Sequence, residues 1–228
     1  MLDTETTGLN ARLGDRVIEI GCIELLNRRV TQHSFHQYLN PERDIEEGAA
    51  RVHGLTREFL SDKPLFRDVA SEFLDYIRGA ELVIHNAAFD VEFLDLELAS
   101  AGVGPVSNHV AGVVDTLALA RELHPGKRNS LDALCERYAV DNSHRTLHGA
   151  LLDARLLAEV YLALTRGQDS LIMDLDESPS PGGRAERLDV SGLTVVRATP
   201  DELAAHERIL DAIEKEAGRP AVWRRGQG

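Results

Sequence analysis

The sequence lacks the features that mark membrane and secreted proteins. Its 228 residues include only two cysteines, Cys22 and Cys135, and no apolar run of membrane-spanning length. The N-terminus lacks the basic-then-apolar pattern of a signal peptide. Both cysteines lie in apolar periodic segments. We therefore expect buried free thiols, a reducing cytoplasmic location and no membrane partner.

Positive charge is also scarce. Lys and Arg number 25 against 38 Asp and Glu, which gives a formal net charge of −13. This balance argues against a protein that grips nucleic acid by long-range attraction. It does not exclude a nuclease, because bound divalent ions invert the local field of a carboxylate site. The apolar fraction of 43% and the length fit one sizeable globular domain with an appendage.

Two carboxylates, Asp3 and Glu5, stand almost at the first residue. Side chains two residues apart on a strand point to the same face, so both can reach one point in space. Hard oxygen ligands of this kind suit Mg²⁺ or Mn²⁺. The spacing alone is weak evidence, because it recurs at Asp44/Glu46, Asp90/Glu92 and Asp95/Glu97.

The spacing of apolar residues predicts an α/β domain, followed by a segment of different composition. Besides the opening strand that carries Asp3 and Glu5, strands are expected at residues 17–26, 32–39, 81–85 and 113–114, with a hairpin turn at 27–29. Helices are expected from Phe66, after the strand at 81–85, after the caps Asp115 and Ser130, and from about 149 to 165. Consecutive strands followed by alternating helices and strands predict a mixed sheet with helices on both faces.

The composition changes after Arg166. Residues 174–187 are rich in Ser, Pro, Gly and charge, which is typical of a flexible linker. A helix is then expected from Thr199, its N-cap, to about Ala217, with Gly218 ending it. Some 35 residues are too few for a core of their own, so we expect this tail to fold against a partner or against the main domain.

Three further residues stand where they could join the first pair. Asp90 and Asp153 each lie in the first turn of an expected helix, and His148 precedes Asp153 by five residues. Each has a plain structural explanation, since a helix N-terminus favours an acidic side chain and surface histidines are common. Taken singly, none of the three identifies a site.

Together these segments resemble a known family. Asp3-Thr-Glu5-Thr-Thr-Gly8-Leu, Asn86-Ala-Ala-Phe89-Asp90 and His148-Gly-Ala-Leu-Leu-Asp153 are similar to the three motifs of the DEDDh 3′→5′ exonucleases. Residues 52–56, 125–132 and 195–225 further resemble the polymerase-bound branch, the proofreading epsilon subunits of bacterial DNA polymerase III. The resemblance implies a ribonuclease H-like fold with a mixed five-stranded sheet in an exonuclease domain at 1–167.

The resemblance also implies roles for single residues. Asp3, Glu5, Asp90 and Asp153 would hold two divalent ions, Mg²⁺ or Mn²⁺, with His148 as general base. The other expected contacts with a single-stranded 3′ end of DNA are Thr6, Thr7, Gly8, Leu9, His53, Asn86 and Phe89. Plain core packing explains Leu9 and Phe89 as well as a substrate contact does. Basic residues that could touch phosphates are Lys127, Arg128 and Arg145, although isolated cations usually just face solvent.

The remaining segments are expected to bind protein partners. Residues 191–228 resemble the epsilon segment that binds the polymerase catalytic (alpha) subunit. Residues 168–190 would be a linker, whose start resembles a sliding-clamp-binding peptide through Gln168, Leu171, Ile172 and Met173. This peptide departs from the family pattern by lacking an aromatic residue, and a frayed helix end explains it equally well.

Two alternatives remain open, along with one departure at the N-terminus. A standalone exoribonuclease would not need the tail, and a non-catalytic subunit linking polymerase and clamp would not need all five catalytic positions. Family members usually carry several apolar residues before the Leu2-Asp3-Thr4-Glu5 run. We therefore expect the native chain to begin upstream of Met1.

Overall fold

The computed structural model describes residues 1–145, 147–166, 198–219 and 223. It divides the chain into two units, Met1–Glu177 and Ser178–Gly228, which are described separately. The expected linker at 168–190 and the clamp-binding residues Gln168, Leu171, Ile172 and Met173 lie outside the described residues. The expected domain boundaries therefore stay predictions.

Five strands lie in the described part of the first unit. They are β1 (Leu2–Thr6), β2 (Val17–Leu26), β3 (Arg29–Tyr38), β4 (Glu81–Ile84) and β5 (Gly112–Asp115). The first three strands pair antiparallel in the order β1-β2-β3, and β4 pairs in parallel with β5. β1 also contacts β4. The mixed strand directions are as expected, but the recorded hydrogen bonds form a group of three and a group of two.

The β2–β3 turn is tighter than the three residues expected for it. Asn27 and Arg28 have φ angles of 50° and 60°, a left-handed pair that suits a two-residue hairpin. β3 consequently begins at Arg29, three residues earlier than the alternation pattern indicates.

The helices of the first unit are α1 (Glu47–His53), α2 (Arg57–Leu60), α3 (Phe66–Ile77), α4 (Ala87–Ser100), α5 (Thr116–Leu123), α6 (Leu131–Tyr138) and α7 (Ala150–Leu164). The second unit contains α8 (Pro200–Ala217). Asp115 and Ser130 cap α5 and α6 as expected, because their side-chain oxygens accept backbone N–H groups of the first turn. Among the α-helices of the described residues, only α1 and α2 are not predicted from the sequence.

The core has two parts, separated by the strands. Ile20 and Ile84 pack with Phe73 of α3 and Phe93 of α4 in one cluster. The other cluster includes the strand residues Ile23 and Val83, together with Leu134 of α6 and Leu157 of α7. Successive strand residues face opposite sides, so helices cover both faces of the strand layer, as predicted.

Both cysteines are buried and unpaired, which confirms that expectation. None of the described helices combines the length and the apolar character needed to cross a membrane.

Candidate active site

Asp3 and Glu5 are presented by β1. Asp3 lies opposite Gly21 of β2, and Glu5 lies opposite Glu19 of the same strand. The pairing register shifts immediately after Glu5, where the chain leaves the strand towards Gly8. The two carboxylates therefore lie at the carboxyl end of a short strand fixed along β2.

Asp90 reaches this pair from the first turn of α4. Its Oδ1 accepts hydrogen bonds from the hydroxyl of Thr4 at 2.7 Å and from the Thr4 amide at 3.1 Å. The chain enters α4 through Asn86, whose φ of 68° is left-handed and turns the helix start towards β1. Thr4, between the two metal-ligand candidates, thus fixes the third carboxylate.

Asp153 lies in the first turn of α7, which packs directly on β2, and His148 lies two residues before this helix. A Cβ atom at Gly21 would lie 2.2 Å from the backbone of Ala150 and Leu151, so only glycine allows this approach. Since Gly21 lies opposite Asp3, this close contact brings the start of α7 beside the carboxylates of β1. His148 is also tied to α1, because its amide donates to the carbonyl of Val52 at 3.1 Å.

Arg145 is the cation inside this site. Its Nε and Nη2 donate to the two carboxylate oxygens of Asp153 at 2.6 and 2.5 Å, and its Nη1 donates to Asp132 at 2.5 Å. Nη2 also lies 3.0 Å from Nδ1 of His148. The Arg145 side chain is only 7% exposed. It is therefore not one of the isolated solvated cations, and the structure shows it bound to carboxylates.

The other three carboxylates, Asp3, Glu5 and Asp90, are close together, and the charge of Arg145 does not offset their burial and mutual repulsion. Burial, followed by repulsion from Asp90, Asp153 and Glu5, raises the pKa of Asp3 well above its usual range. Burial and the charge of Asp153 raise the pKa of Glu5 to about 8. Burial raises the pKa of Asp90 to about 7, against the hydrogen bonds from Thr4. Carboxylates whose pKa is raised in this way are unfavourable as bare anions, so a bound cation that neutralises them is favoured.

The five residues line one open concavity of about 270 Å³. Its lining residues are Asp3, Thr4, Glu5, His85, Asn86, Phe89, Asp90, Ser130, Leu131, Asp132, Arg145, His148 and Asp153. Potential ligand atoms of Glu5, His148 and Asp153 lie within 4.8 Å of one another. Carboxylate oxygens with one imidazole are a donor set that fits a hard divalent ion such as Mg²⁺ or Mn²⁺.

The other expected substrate residues are divided between this concavity and its surroundings. Asn86 and Phe89 line it, but Thr6, Thr7, Gly8, Leu9 and His53 do not. The hydroxyl of Thr6 donates to the carbonyl of Gly8, and that of Thr7 donates to Asp15. Those two side chains are therefore already engaged within the protein.

The apolar candidates differ from each other. Leu9 is 82% exposed, so it is not a core residue. Phe89 is half-buried, packs against the core and has its ring 4.8 Å from that of Phe93. His53 is buried, and its Nε2 has no hydrogen-bond partner within the described part of the chain. Burial lowers the pKa of His53.

Thr4 and Asp132 were missed by reasoning from the sequence. Thr4 contacts Asp90 across 86 positions of sequence, and no local pattern could indicate such a pair. Asp132 follows the N-cap of α6 and resembles any first-turn acid. Only the fold shows that it anchors Arg145 beside Asp153.

Comparison with known proteins identifies the family. A family model described as Exonuclease, RNase_T, matches residues 1–161. The chain belongs to this exonuclease family. The matched range contains all five candidate catalytic residues, and the expectation of an exonuclease fold is confirmed.

Relatives extend the match to the tail. The chain is 54% identical to DNA polymerase III subunit epsilon of Salmonella typhimurium over 235 residues, covering 98% of this chain and 96% of the relative. It is 53% identical to the protein of that name from Escherichia coli, with the same coverage, and 48% identical to the one from Haemophilus influenzae, covering 98% and 93%. The chain thus also belongs to the epsilon-subunit group.

Solved exonuclease structures share the fold. Exonuclease X, in complex with 5′ overhanging duplex DNA, aligns with a TM-score of 0.57 and 26% identity, covering 74% of this chain and 91% of that one. Escherichia coli exonuclease I, bound to single-stranded DNA, aligns with a TM-score of 0.64 and 19% identity, covering 77% and 42%. The predicted ribonuclease H-like α/β class is therefore confirmed.

Proposed function

We propose that this protein is the proofreading 3′→5′ exonuclease subunit of a bacterial replicative DNA polymerase III. It would remove mispaired 3′-terminal nucleotides as 5′-monophosphates. The observation that carries the proposal is the convergence of Asp3, Glu5, Asp90, Asp153 and His148 in one concavity. Membership of the exonuclease family and the similarity to epsilon subunits over nearly the whole chain support it.

The four carboxylates are proposed to hold two divalent ions. Asp3 would contribute to both positions, Glu5 and Asp153 to the first, and Asp90 to the second. When bound, such ions neutralise the phosphoryl oxygens and ease formation of the attacking hydroxide. The chain contributes a rigid donor set, because β1 is fixed by β2, Asp90 by Thr4, and Asp153 by the packing of α7 on Gly21.

His148 is proposed as the general base that takes the proton from the attacking water. Its side chain is 43% exposed, so water and substrate have access to it. Its Nδ1 lies 3.6 Å from Asp153, whose charge would stabilise the protonated ring. Of the residues whose potential ligand atoms meet here, Glu5, His148 and Asp153, only His148 carries an imidazole, the side chain that most often acts as a general base.

The 3′-terminal nucleotide would lie against residues at the rim of the concavity. Backbone groups of Thr6, Thr7 and Gly8, the exposed side chain of Leu9, and Asn86 and Phe89 are the proposed contacts. The free Nε2 of His53 would supply one further polar contact. A mispaired end frays more readily than a paired one, so a site for unpaired ends selects mispairs.

The second unit is proposed to bind the polymerase catalytic subunit through residues 191–228. Within this range α8 has an apolar set that is substantially exposed: Leu203 at 55%, Ile209 at 60% and Ile213 at 44%. Its start is a capping box, in which Thr199 and Glu202 satisfy each other's backbone amides. A helix whose start is fixed by a capping box can present its apolar residues to a groove on a partner. The clamp contact at 168–173 remains a proposal from sequence.

The activity is tested by digestion of a 5′-labelled single strand in Mg²⁺. Wild type should shorten the strand from its 3′ end, while Asp3→Ala and His148→Ala should lose most of this activity. Asp44→Ala is a matched control, since Asp44 has the same Asp-x-Glu spacing and its side chain is 84% exposed. Shortening that survives Asp3→Ala would overturn the mechanism. Equal or faster digestion of an RNA strand would favour the exoribonuclease.

The partner is tested by pull-down of the polymerase subunit with the full chain and with residues 1–190. Binding should require residues 191–228. A triple change of Leu203, Ile209 and Ile213 to Ser should abolish it as well. Retention of the polymerase subunit by residues 1–190 would contradict the proposed role of the tail.

A further inference from the structure

A second concavity adjoins the carboxylate site. Its volume is about 510 Å³, and its lining residues are Lys127, Arg128, Ala133, Glu136 and Arg137. The carboxylate site is lined by neighbours of these residues, namely Ser130, Leu131 and Asp132. The N-terminal turn of α6 therefore forms a wall between the two concavities.

The three cations of this second concavity outnumber its one carboxylate, that of Glu136. In the described part of the chain, neither Lys127, Arg128 nor Arg137 forms an ion pair. A third concavity, at residues 13–16, 41–44 and 57, also carries three arginines, but each of them is paired: Arg16 with Glu97, Arg43 with Asp15, and Arg57 with Asp44. Unlike those three arginines, the cations of the second concavity have no carboxylate partner among the described residues.

Arg137 is held in place by uncharged acceptors. Its guanidinium donates to Oδ1 of Asn129 at 2.9 Å and to the carbonyl of Arg128 at 2.7 Å. Asn129 is buried and donates in turn to the carbonyl of His124. The cation is therefore fixed without loss of its charge, which lowers the ordering cost of binding an anion.

We propose that Lys127, Arg128 and Arg137 bind backbone phosphates of the substrate strand on the 5′ side of the scissile linkage. This inference rests on the proposed function, since the terminal nucleotide occupies the carboxylate site and the strand leading away from it carries the next phosphates. The Cα atoms of Arg128 and Leu131 are at most about 11 Å apart, because they are three positions apart along the chain. A strand leaving the site reaches these cations within a few nucleotides.

The cations of the second concavity also explain how a chain with a large negative net charge can bind a nucleic-acid strand. A net charge of −13 repels a polyanion at long range. Local cations whose charge is free can hold the strand once a partner has delivered its end. Contacts of this kind position a strand without reading its sequence.

The experiment compares two substrates. One is a 5′-labelled single-stranded dodecanucleotide, and the other is the p-nitrophenyl ester of thymidine 5′-monophosphate, which has a scissile phosphate but no upstream phosphates. For Lys127→Ala, Arg128→Ala and Arg137→Gln, the ratio of oligonucleotide to ester kcat/KM should fall about two- to fivefold each, the range for exposed charge pairs. The salt slope of oligonucleotide binding should decrease by about 0.7 per lost contact.

Arg67→Ala is the matched control, because Arg67 is exposed on α3 and lines neither concavity; it should leave the ratio unchanged. Lys127 and Arg128 are exposed, so their variants keep the test valid if Arg137→Gln misfolds in a thermal melt. An unchanged ratio and salt slope would overturn the inference, and so would a loss of polymerase binding with an unchanged ratio. A wild type that hydrolyses neither substrate would instead overturn the proposed function, and this inference with it.

Discussion

Arg145 and Asp153 form a bidentate ion pair inside the carboxylate site. The guanidinium contacts both oxygens of Asp153 while its third nitrogen binds Asp132 on the outer side. Arg145 therefore supplies positive charge to one of the four clustered carboxylates. Asp132 gives it a second anchor, so it can remain in the site when Asp153 takes another partner.

Arg145→Gln should destabilise the protein when divalent ions are absent. Both side chains of the pair are buried, and removal of one partner of a buried pair costs about 3 kcal/mol or more. Mg²⁺ should recover most of this loss, since it neutralises the same carboxylate. Urea unfolding with EDTA and with Mg²⁺ measures both effects.

Arg57→Gln is the control for this prediction, because its partner Asp44 is exposed and the pair is worth at most about 1 kcal/mol. Equal losses for the two variants, or no recovery with Mg²⁺, would contradict the role given to Arg145.

Thr4→Val should weaken metal binding at the site, because the hydroxyl of Thr4 positions Asp90. The variant removes the hydroxyl that donates to Asp90 at 2.7 Å but keeps the size of the side chain. Loss of a partner that orients a metal ligand typically costs about 10- to 100-fold in metal affinity or activity. A titration of the exonuclease rate with Mg²⁺ should show a higher half-saturation concentration.

Thr31→Val is matched to this change, since the Thr31 hydroxyl also binds a carboxylate, that of Glu24, but on the exposed part of β3. It should leave the titration unchanged. Identical curves for Thr4→Val and wild type would show that Thr4 does not position Asp90.

Gly21→Ala should damage fold and activity together. The added Cβ would meet the backbone of α7 at 2.2 Å, and overpacking of this kind costs about 1–3 kcal/mol. Displacement of α7 also moves His148 and Asp153 away from Asp3. Gly48→Ala, where a Cβ has nothing within 4 Å, should preserve both properties. Full activity of Gly21→Ala would contradict the packing argument.

Stability should fall as pH rises when divalent ions are absent. Glu5 has its pKa raised from 4.5 to about 8, and Asp90 from 3.8 to about 7. The folded chain thus retains protons that the unfolded chain releases. The stabilisation from these groups is complete below about pH 4 and is lost as pH approaches 8. Mg²⁺ should therefore raise the Tm more at pH 8 than at pH 6.

Thermal melts of wild type and Glu5→Gln in EDTA check the source of this effect. The variant should show a smaller fall in Tm between pH 6 and pH 8, whereas Glu47→Gln on the exposed side of α1 should behave like wild type. A larger gain from Mg²⁺ at pH 6 would reverse the predicted sign.

Local patterns predicted much of the framework around the candidate catalytic residues. The alternation in Val17–Leu26 and the helical spacing in Phe66–Ile77 determined strand and helix, and Asp115 and Ser130 marked helix starts. The helices α1 and α2 have seven and four residues, too few for a periodic pattern. Short elements of this kind depend on tertiary contacts, such as the bond from His148 to Val52.

The site could be predicted only as a set of spaced motifs. Asp3, Asp90 and Asp153 each have an unremarkable neighbourhood in sequence, and their meeting depends on Gly21 and on the left-handed turn at Asn86. The pairing of Arg145 with Asp153 depends on a loop conformation that no residue pattern encodes. Sequence therefore indicated the candidate ligands, whereas the position of the Arg145 charge among them is visible only in the fold.

The central claim is that Asp3, Glu5, Asp90 and Asp153 form a site for two catalytic divalent ions. Anomalous scattering from crystals soaked in Mn²⁺ and thymidine 5′-monophosphate tests it most directly. We predict two Mn²⁺ peaks about 3.5–4 Å apart, both within ligand distance of Asp3. The absence of Mn²⁺ at these carboxylates, with Mn²⁺ bound elsewhere on the chain, would contradict the account.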